Sequence, residues 1–280
     1  MQTDCMGISI NYVDLGKGDP MLFLHNGGGF WQIWIHQIMH FSKKYRVLAF
    51  DWPGFGNSAE ISEPLSLDLY FKVLTTFVDN LGLDRIILVG NCIGASVAIQ
   101  YRYHYPDKVR YLVLMNICPG KRLIRLGIMR WLLFTFGKKR DMKALKSILG
   151  FLFTRTPVKR IFPRILFGKS LRKDDFLYNK YVVKFKEARQ TRARLNLLFA
   201  SDRYTLEDFV RRDKDISDSL LIWGERNRVA GLRREGFYHQ KMCGIITMKI
   251  IKEAGHLLMY ESPDEVNTLI EGFIREENDV

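Results

Sequence analysis

Seven short, apolar, β-rich runs punctuate the chain, and between them hydrophobic residues recur at helical rather than alternating spacing. The runs are ISINYVDLG, MLFLHN (21–26), YRVLAFD (45–51), RIILVGN (85–91), YLVLMN (111–116), LLIWGE (220–225) and IITMKII (245–251). Strands that alternate with helices in this way predict an α/β protein built on a doubly wound, mostly parallel sheet. Between Pro64 and Gly82, the residues Leu67, Tyr70, Phe71, Leu74, Phe77, Val78 and Leu81 fall on one helical face. Near the end, Ser262-Pro263-Asp264-Glu265 reads as a capping box with proline at the first helical position. Val266, Leu269, Ile270, Phe273 and Ile274 continue it as a closing helix. A chain of 280 residues that is 47% hydrophobic can fill one large core and still carry an insertion.

The alternation stops between about 120 and 216. That stretch has no clear strand, and it is rich in aromatic residues. The chain therefore divides into a core of residues 1–119 and 217–280 and a helical cap of 120–216, a lid inserted after the sixth strand. This position puts the lid over the carboxyl ends of the strands, where ligands bind in such sheets. The net charge of +13 belongs to the same stretch. Between Lys121 and Asp215 stand 26 Lys and Arg against 9 Asp and Glu, and elsewhere 17 against 21. Arg125, Arg130, Lys138, Lys139 and Arg140 interleave with Trp131, Leu132, Phe134 and Phe136. Such a surface suits the phosphates of coenzyme A, an acidic acyl carrier protein, or peripheral contact with an anionic membrane; a merely solvated face is the plain alternative. Nucleic acid is not expected, because no binding motif accompanies the charge.

The first residues, MQTDCMG, have no basic segment followed by an apolar one, and no apolar run reaches the roughly 18 residues of a spanning helix. A soluble, cytoplasmic protein is expected, membrane-associated only through the lid. Cys5, Cys92, Cys118 and Cys243 sit at neither disulfide-framework nor zinc spacing, so free thiols, no metal and no cofactor are expected.

One cysteine stands apart. RIILV, GNCIG and ASVAIQYRYHY form a strand, a tight turn and a helix, with Cys92 at the centre of the turn and Gly90 and Gly94 on either side. A buried cysteine in an ordinary glycine turn is the competing explanation. With LHNGGGF, FDWPGFGNS, GNCIGAS, IWGERN and EAGHLLMYESPDEV in this order, the chain resembles the α/β-hydrolase family over about 1–118 and 218–278. The resemblance implies that Cys92 is the nucleophile and His256 the general base. It also implies that the main-chain N–H groups of Gly27 and Ile93 form the oxyanion hole.

The third member departs from the family pattern. The usual acid position is Asn227 and the alternative one Asn116, and both are amides. Glu225, Asp218 and Asp51 are rival carboxylates for His256. A serine alkoxide route needs a carboxylate to stabilise the imidazolium, whereas a thiol beside histidine at a helix N-terminus tends toward a standing thiolate–imidazolium pair. An asparagine then only has to hold the ring. An acyl group on Cys92 is a thioester, so thioester donors exchange with it at little free-energy difference. The resemblance thus implies an acyl-transfer enzyme, a thioesterase or acyltransferase acting on an acyl thioester or ester. Dienelactone hydrolases and polyhydroxyalkanoate synthases share a cysteine here, but the former lack a long lid and the latter keep a carboxylate. The alternatives are an ordinary esterase with substituted catalytic residues, or a lapsed binding protein for an acidic partner.

Overall fold

In the computed structural model, which describes residues 1–61, 65–117, 165–168, 176–187, 189–190, 192–193 and 215–277, eight strands form one sheet. They are β1 (Gln2–Cys5), β2 (Ile8–Leu15), β3 (Pro20–Leu24), β4 (Arg46–Phe50), β5 (Ile86–Asn91), β6 (Val109–Met115), β7 (Leu220–Gly224) and β8 (Thr247–Ile251). Their order is β1-β2-β4-β3-β5-β6-β7-β8. The pairs β1·β2 and β2·β4 are antiparallel, and every pairing from β4 to β8 is parallel. All six parallel strands therefore end on one edge of the sheet.

The described helices are α1 (Ile35–Phe41), α2 (Leu67–Asn80), α3 (Ile93–His104), α4 (Phe176–Lys186), α5 (Phe237–Cys243), α6 (Leu258–Glu261) and α7 (Pro263–Glu276). Side chains alternate between the two faces of a strand, so the sheet separates two apolar clusters. Leu22, Leu24, Leu48, Phe50 and Leu88 join α2 and α3 on one side. Met21, Phe23, Val47, Ala49, Ile87 and Val89 join α1, α6 and α7 on the other. The expected α2 face is buried at Leu67, Tyr70, Leu74, Phe77 and Val78, with Val73 added and Phe71 only partly covered.

Two expectations are corrected. The sequence runs suggested seven strands, but β1 adds an eighth as a hairpin with β2, turning at Met6 (φ 59°) and Gly7 (φ 77°). A two-residue turn with both φ values positive matches the twist of its strands. With only four residues, three of them at least partly exposed, β1 has no apolar run to reveal it. The capping box before α7 does not form: Pro263 does take the first turn, but the Ser262 side chain makes no capping bond. Ser262 also closes α6, where its N–H donates to the Leu258 carbonyl. Its backbone (φ −135°, ψ 59°) serves that junction rather than an extended N-cap.

The inserted stretch enters between β6 and β7 as expected, and α4 is its described helix. The cationic cluster from Arg125 to Arg140 and the Trp131–Phe136 apolar patch lie outside the described residues, as does Cys118. Among the described residues, no helix is long and apolar enough to cross a membrane.

Phe77 is fully buried, with its ring edge-on to Tyr12 at 5.4 Å and tilted against Phe50 at 4.7 Å. Phe77→Ala should destabilise the fold by about 3–5 kcal/mol in denaturant unfolding. A loss below about 1 kcal/mol would show that α2 is not clamped to the sheet through this residue.

Candidate active site

Only one residue separates the last position of β5, Asn91, from the first of α3, Ile93. That residue is Cys92, with φ 57° and ψ −113°. A non-glycine residue held there stores strain of about 1–3 kcal/mol. It is fixed at both ends: its N–H donates to the Met115 carbonyl (2.9 Å), and its carbonyl accepts from the Ser96 N–H (3.1 Å). A Cβ on Gly90 would strike the main chain of Gly94 and Ala95, and one on Gly94 the main chain of Leu24. The glycines are thus required by close approach of helix and strand. Cys92 is 6% exposed. Ile93 opens α3, where an N–H has no acceptor in a preceding turn. Gly27 lies in the turn after β3 that is closed by the Gly29 N–H on the Asn26 carbonyl (3.0 Å).

His256 sits in the loop between β8 and α6 and is buried. Its Nδ1 lies 3.2 Å from Asn227 Oδ1. The same oxygen accepts from the N–H groups of Val229 (3.0 Å) and Ala230 (3.1 Å), which fixes the amide with its oxygen toward the ring. Because that oxygen only accepts, Nδ1 is assigned the proton and Nε2 is left as the basic nitrogen. Asn116, the alternative ring holder from sequence, is placed differently. Its Nδ2 donates to the His256 carbonyl (3.0 Å) and its Oδ1 accepts from the Gly224 N–H (3.1 Å). Lying just past β6 and beside the end of β7, it spans from one main chain to the other and does not reach the imidazole.

The rival carboxylates are engaged elsewhere. Asp51 accepts from Asn11 Nδ2 and from the N–H groups of Trp31 and Asn57. Glu225 accepts from the Glu253 N–H, and Asp218 pairs with Arg102. Asn91, which sequence reasoning passed over, donates to the His256 carbonyl (3.3 Å). Its place next to Cys92 was visible, but its partner lies 165 residues away.

The inserted stretch meets the loops at the carboxyl ends of the strands. Tyr181 of α4 donates to Asn26 Oδ1 (3.4 Å) and packs against Phe30, with ring centroids 4.8 Å apart. Arg189 and Gln190 donate to the Gly56 carbonyl, and Arg189 also to that of Ser58. Arg192 pairs with Glu60, and the Lys180 ammonium lies over the Phe30 ring. These described cations of the basic stretch bond to carbonyls, a carboxylate and a ring of the core. Beneath them His25 is locked neutral: its Nε2 accepts from the Trp52 N–H (2.9 Å), so its Nδ1–H donates to the Asn26 carbonyl (2.7 Å). Burial pushes its pKa down to about 3. Cys5, Cys92 and Cys243 are free thiols, and among the described residues no cluster could hold a metal ion.

A mostly parallel sheet with a strained turn after its central strand, a buried histidine after its last strand and an inserted helical segment between β6 and β7 defines an α/β protein of the hydrolase type. The chain belongs to the α/β-hydrolase fold family, whose description matches residues 19–263. It is 26% identical over 292 residues to epoxide hydrolase 4 of Mus musculus, covering 97% of this chain and 77% of that protein. It is 28% identical over 287 residues to a 2-hydroxy-6-oxononadienedioate/2-hydroxy-6-oxononatrienedioate hydrolase of Klebsiella pneumoniae, covering 95% and 91%. The Cif epoxide hydrolase from Acinetobacter nosocomialis shares the fold, with a TM-score of 0.81 at 18% identity over 98% of this chain and 88% of that one. With hydrolases matched along nearly its whole length, this chain is a hydrolase of that fold.

Two buried histidines make stability depend on pH. Burial holds His25 near a pKa of about 3 and His239 near about 4, against an ordinary value of 6.5. Both are neutral in the folded chain at pH 5 and charged in the unfolded one, so unfolding takes up about one proton each. Their contribution is complete above pH 6.5 and is lost as pH falls toward 4 and then 3. In the melting profile between pH 6.5 and 4, His25→Gln should remove about one proton from the slope. An unchanged slope would mean that His25 is not held neutral.

Proposed function

We propose that this hydrolase works by acyl transfer through Cys92, with His256 as general base and Asn227 holding the imidazole, on an acyl thioester or ester. The observation that carries the proposal is the Asn227 carbonyl, fixed by two main-chain N–H groups and set 3.2 Å from His256 Nδ1. A neutral amide orients the ring but does not neutralise an imidazolium. A cysteine tolerates that, because its thiolate forms readily beside a histidine.

In the first half-reaction Cys92 Sγ attacks the acyl carbonyl carbon, and the oxyanion is met by the N–H groups of Gly27 and Ile93. The tetrahedral adduct collapses, and the imidazolium of His256 protonates the departing thiolate or alkoxide. In the second, water gives a proton to His256 and attacks the Cys92 thioester, releasing the acid and restoring the thiol. A second thiol, amine or alcohol in place of water makes the same enzyme an acyltransferase. Coenzyme A and carrier-protein thioesters are the donors closest in free energy to the Cys92 thioester. We read residues 120–216 as the cap that covers the bound acyl chain, supported by the contacts of α4 with the loops around Asn26 and Gly56.

A second reading comes from similarity to epoxide hydrolase 4. If the Cys92 thiolate opened an epoxide, a carbon–sulfur bond would form, the ring C–O bond would break and His256 would protonate the alkoxide. The product is a thioether, which water does not cleave. An epoxide would therefore inactivate the protein after one event instead of turning over.

Incubation with acyl-coenzyme A and with small acyl esters should add one acyl mass to the intact chain. The adduct should map to Cys92, be absent in Cys92→Ala and be released by hydroxylamine. A reactive epoxide should leave a stoichiometric adduct that hydroxylamine does not remove. Steady release of diol, or neither an acyl adduct nor release of the acid from any donor, would overturn the proposal. In an independent test, Asn227→Asp supplies a charge beside the imidazolium. It should move the alkaline limb of the pH–rate profile up by about 1–3 units. A profile that does not move would separate Asn227 from the reacting histidine.

A further inference from the structure

His256 is held from two sides. Below it, Asn91 and Asn116 donate to its carbonyl from the ends of β5 and β6. Above it, the described piece of the inserted stretch at 165–168 carries the Leu166 carbonyl, which accepts from the N–H groups of His256 (2.7 Å) and Leu257 (3.2 Å). One side chain ties that piece to the histidine loop. Glu261 Oε1 accepts from the Gly255 N–H (2.9 Å), and Glu261 Oε2 accepts from the Gly168 N–H (2.6 Å). The two strands of chain run so close that a Cβ on Gly255 would strike Gly168 and Phe167. A Cβ on Gly168 would strike Glu253, Gly255 and the Glu261 carboxylate.

We propose that Glu261 is a positioning residue for His256: its carboxylate latches the inserted segment 165–168 to the histidine loop, so that seating of that segment sets where the imidazole stands. The role rests on His256 acting as the base for Cys92. A carboxylate suits the position because it presents an acceptor to each N–H, and no other side-chain carboxylate among the described residues bonds to either. An amide in its place has one acceptor and turns a donor toward the second N–H. Glu261 is four residues beyond Leu257 and its N–H donates to the Leu257 carbonyl (3.0 Å), so the first turn of α6 aims its side chain back over the histidine loop. The hydrogen-bond partners of His256 here are amides and a main-chain carbonyl. Its alignment therefore depends on geometry, since among the described residues no carboxylate bonds to the ring.

The test reads the thiolate–imidazolium pair directly. The alkylation rate of Cys92 by iodoacetamide is followed by peptide-resolved mass spectrometry from pH 4 to 10, in the wild-type chain, Glu261→Gln, Gly168→Ala and the exposed-carboxylate control Glu265→Gln. The wild type should alkylate well below the ordinary thiol range. Glu261→Gln should reduce that low-pH rate by about tenfold or more, because the base is displaced from the sulfur, while the high-pH limit stays the same. Gly168→Ala pushes on the latch from the other side and should act in the same direction; it carries the test if Glu261→Gln does not fold. Glu265→Gln should follow the wild type. A wild type with an ordinary thiol profile would defeat the Cys92–His256 assignment itself. A wild type with the low-pH branch, retained in folded Glu261→Gln and Gly168→Ala, would overturn the role of Glu261 alone.

Discussion

The strained turn at Cys92 is the constraint on which the rest of the site depends. β5 lies inside the sheet between β3 and β6, and α3 must start within one residue of its end to lie back across them. Only a positive φ makes that reversal so short, and the main-chain bonds of Cys92 to Met115 and Ser96 hold it there. The consequence is a side chain held at the junction of β5 and α3, 6% exposed, at the start of a helix whose first N–H groups have no acceptor in a preceding turn. Close contact of the Gly90 and Gly94 backbones with α3 and β3 is what keeps the reversal from relaxing.

Around the histidine the molecule uses amides where a hydrolase of this shape is expected to use a carboxylate. Asn227 takes the ring, while Asn116 and Asn91 take the main chain below it. The nearby carboxylates are tied into other loops, with Asp51 bracing the turns at Trp31 and Asn57. Such an arrangement orients without supplying charge, which is a poor match for an alcohol nucleophile and an adequate one for a thiol. In the proposed mechanism the thiol and its amide neighbours are therefore mutually consistent in a way that neither substitution would be alone.

Part of the basic inserted stretch also has a structural use in three dimensions. Read as a line of charge it looks like a surface for phosphates or lipids. Among its described residues, however, Lys184, Arg189 and Arg192 are spent on carbonyls and a carboxylate of the core loop from Gly56 to Glu60, and Lys180 on the ring of Phe30. Part of the excess charge thus fastens the insertion to the sheet, because main-chain carbonyls at a loop are acceptors that long cationic side chains reach well.

The sequence by itself determined the doubly wound sheet, the position of the insertion, the turn at Cys92 and the two amides, Asn227 and Asn116, that stand at the positions expected to serve His256. Each is written locally: as apolar runs, as glycines at two-residue offsets, and as ordered short motifs. It left β1 unseen because a four-residue, half-exposed edge strand is specified by its partner and its turn rather than by its own hydrophobicity. It misjudged Ser262, whose residue type favoured a cap while its backbone was already committed to ending α6. It could not choose between Asn227 and Asn116, since both are amides at strand ends. Only the tertiary structure decided, by setting Asn227 in a turn whose N–H groups aim its oxygen at the ring and Asn116 between two main chains. Contacts between residues 93 to 230 positions apart, such as Glu261 with Gly168 and Gln37 with Asn267, have no local signature, because they arise when separately formed elements pack.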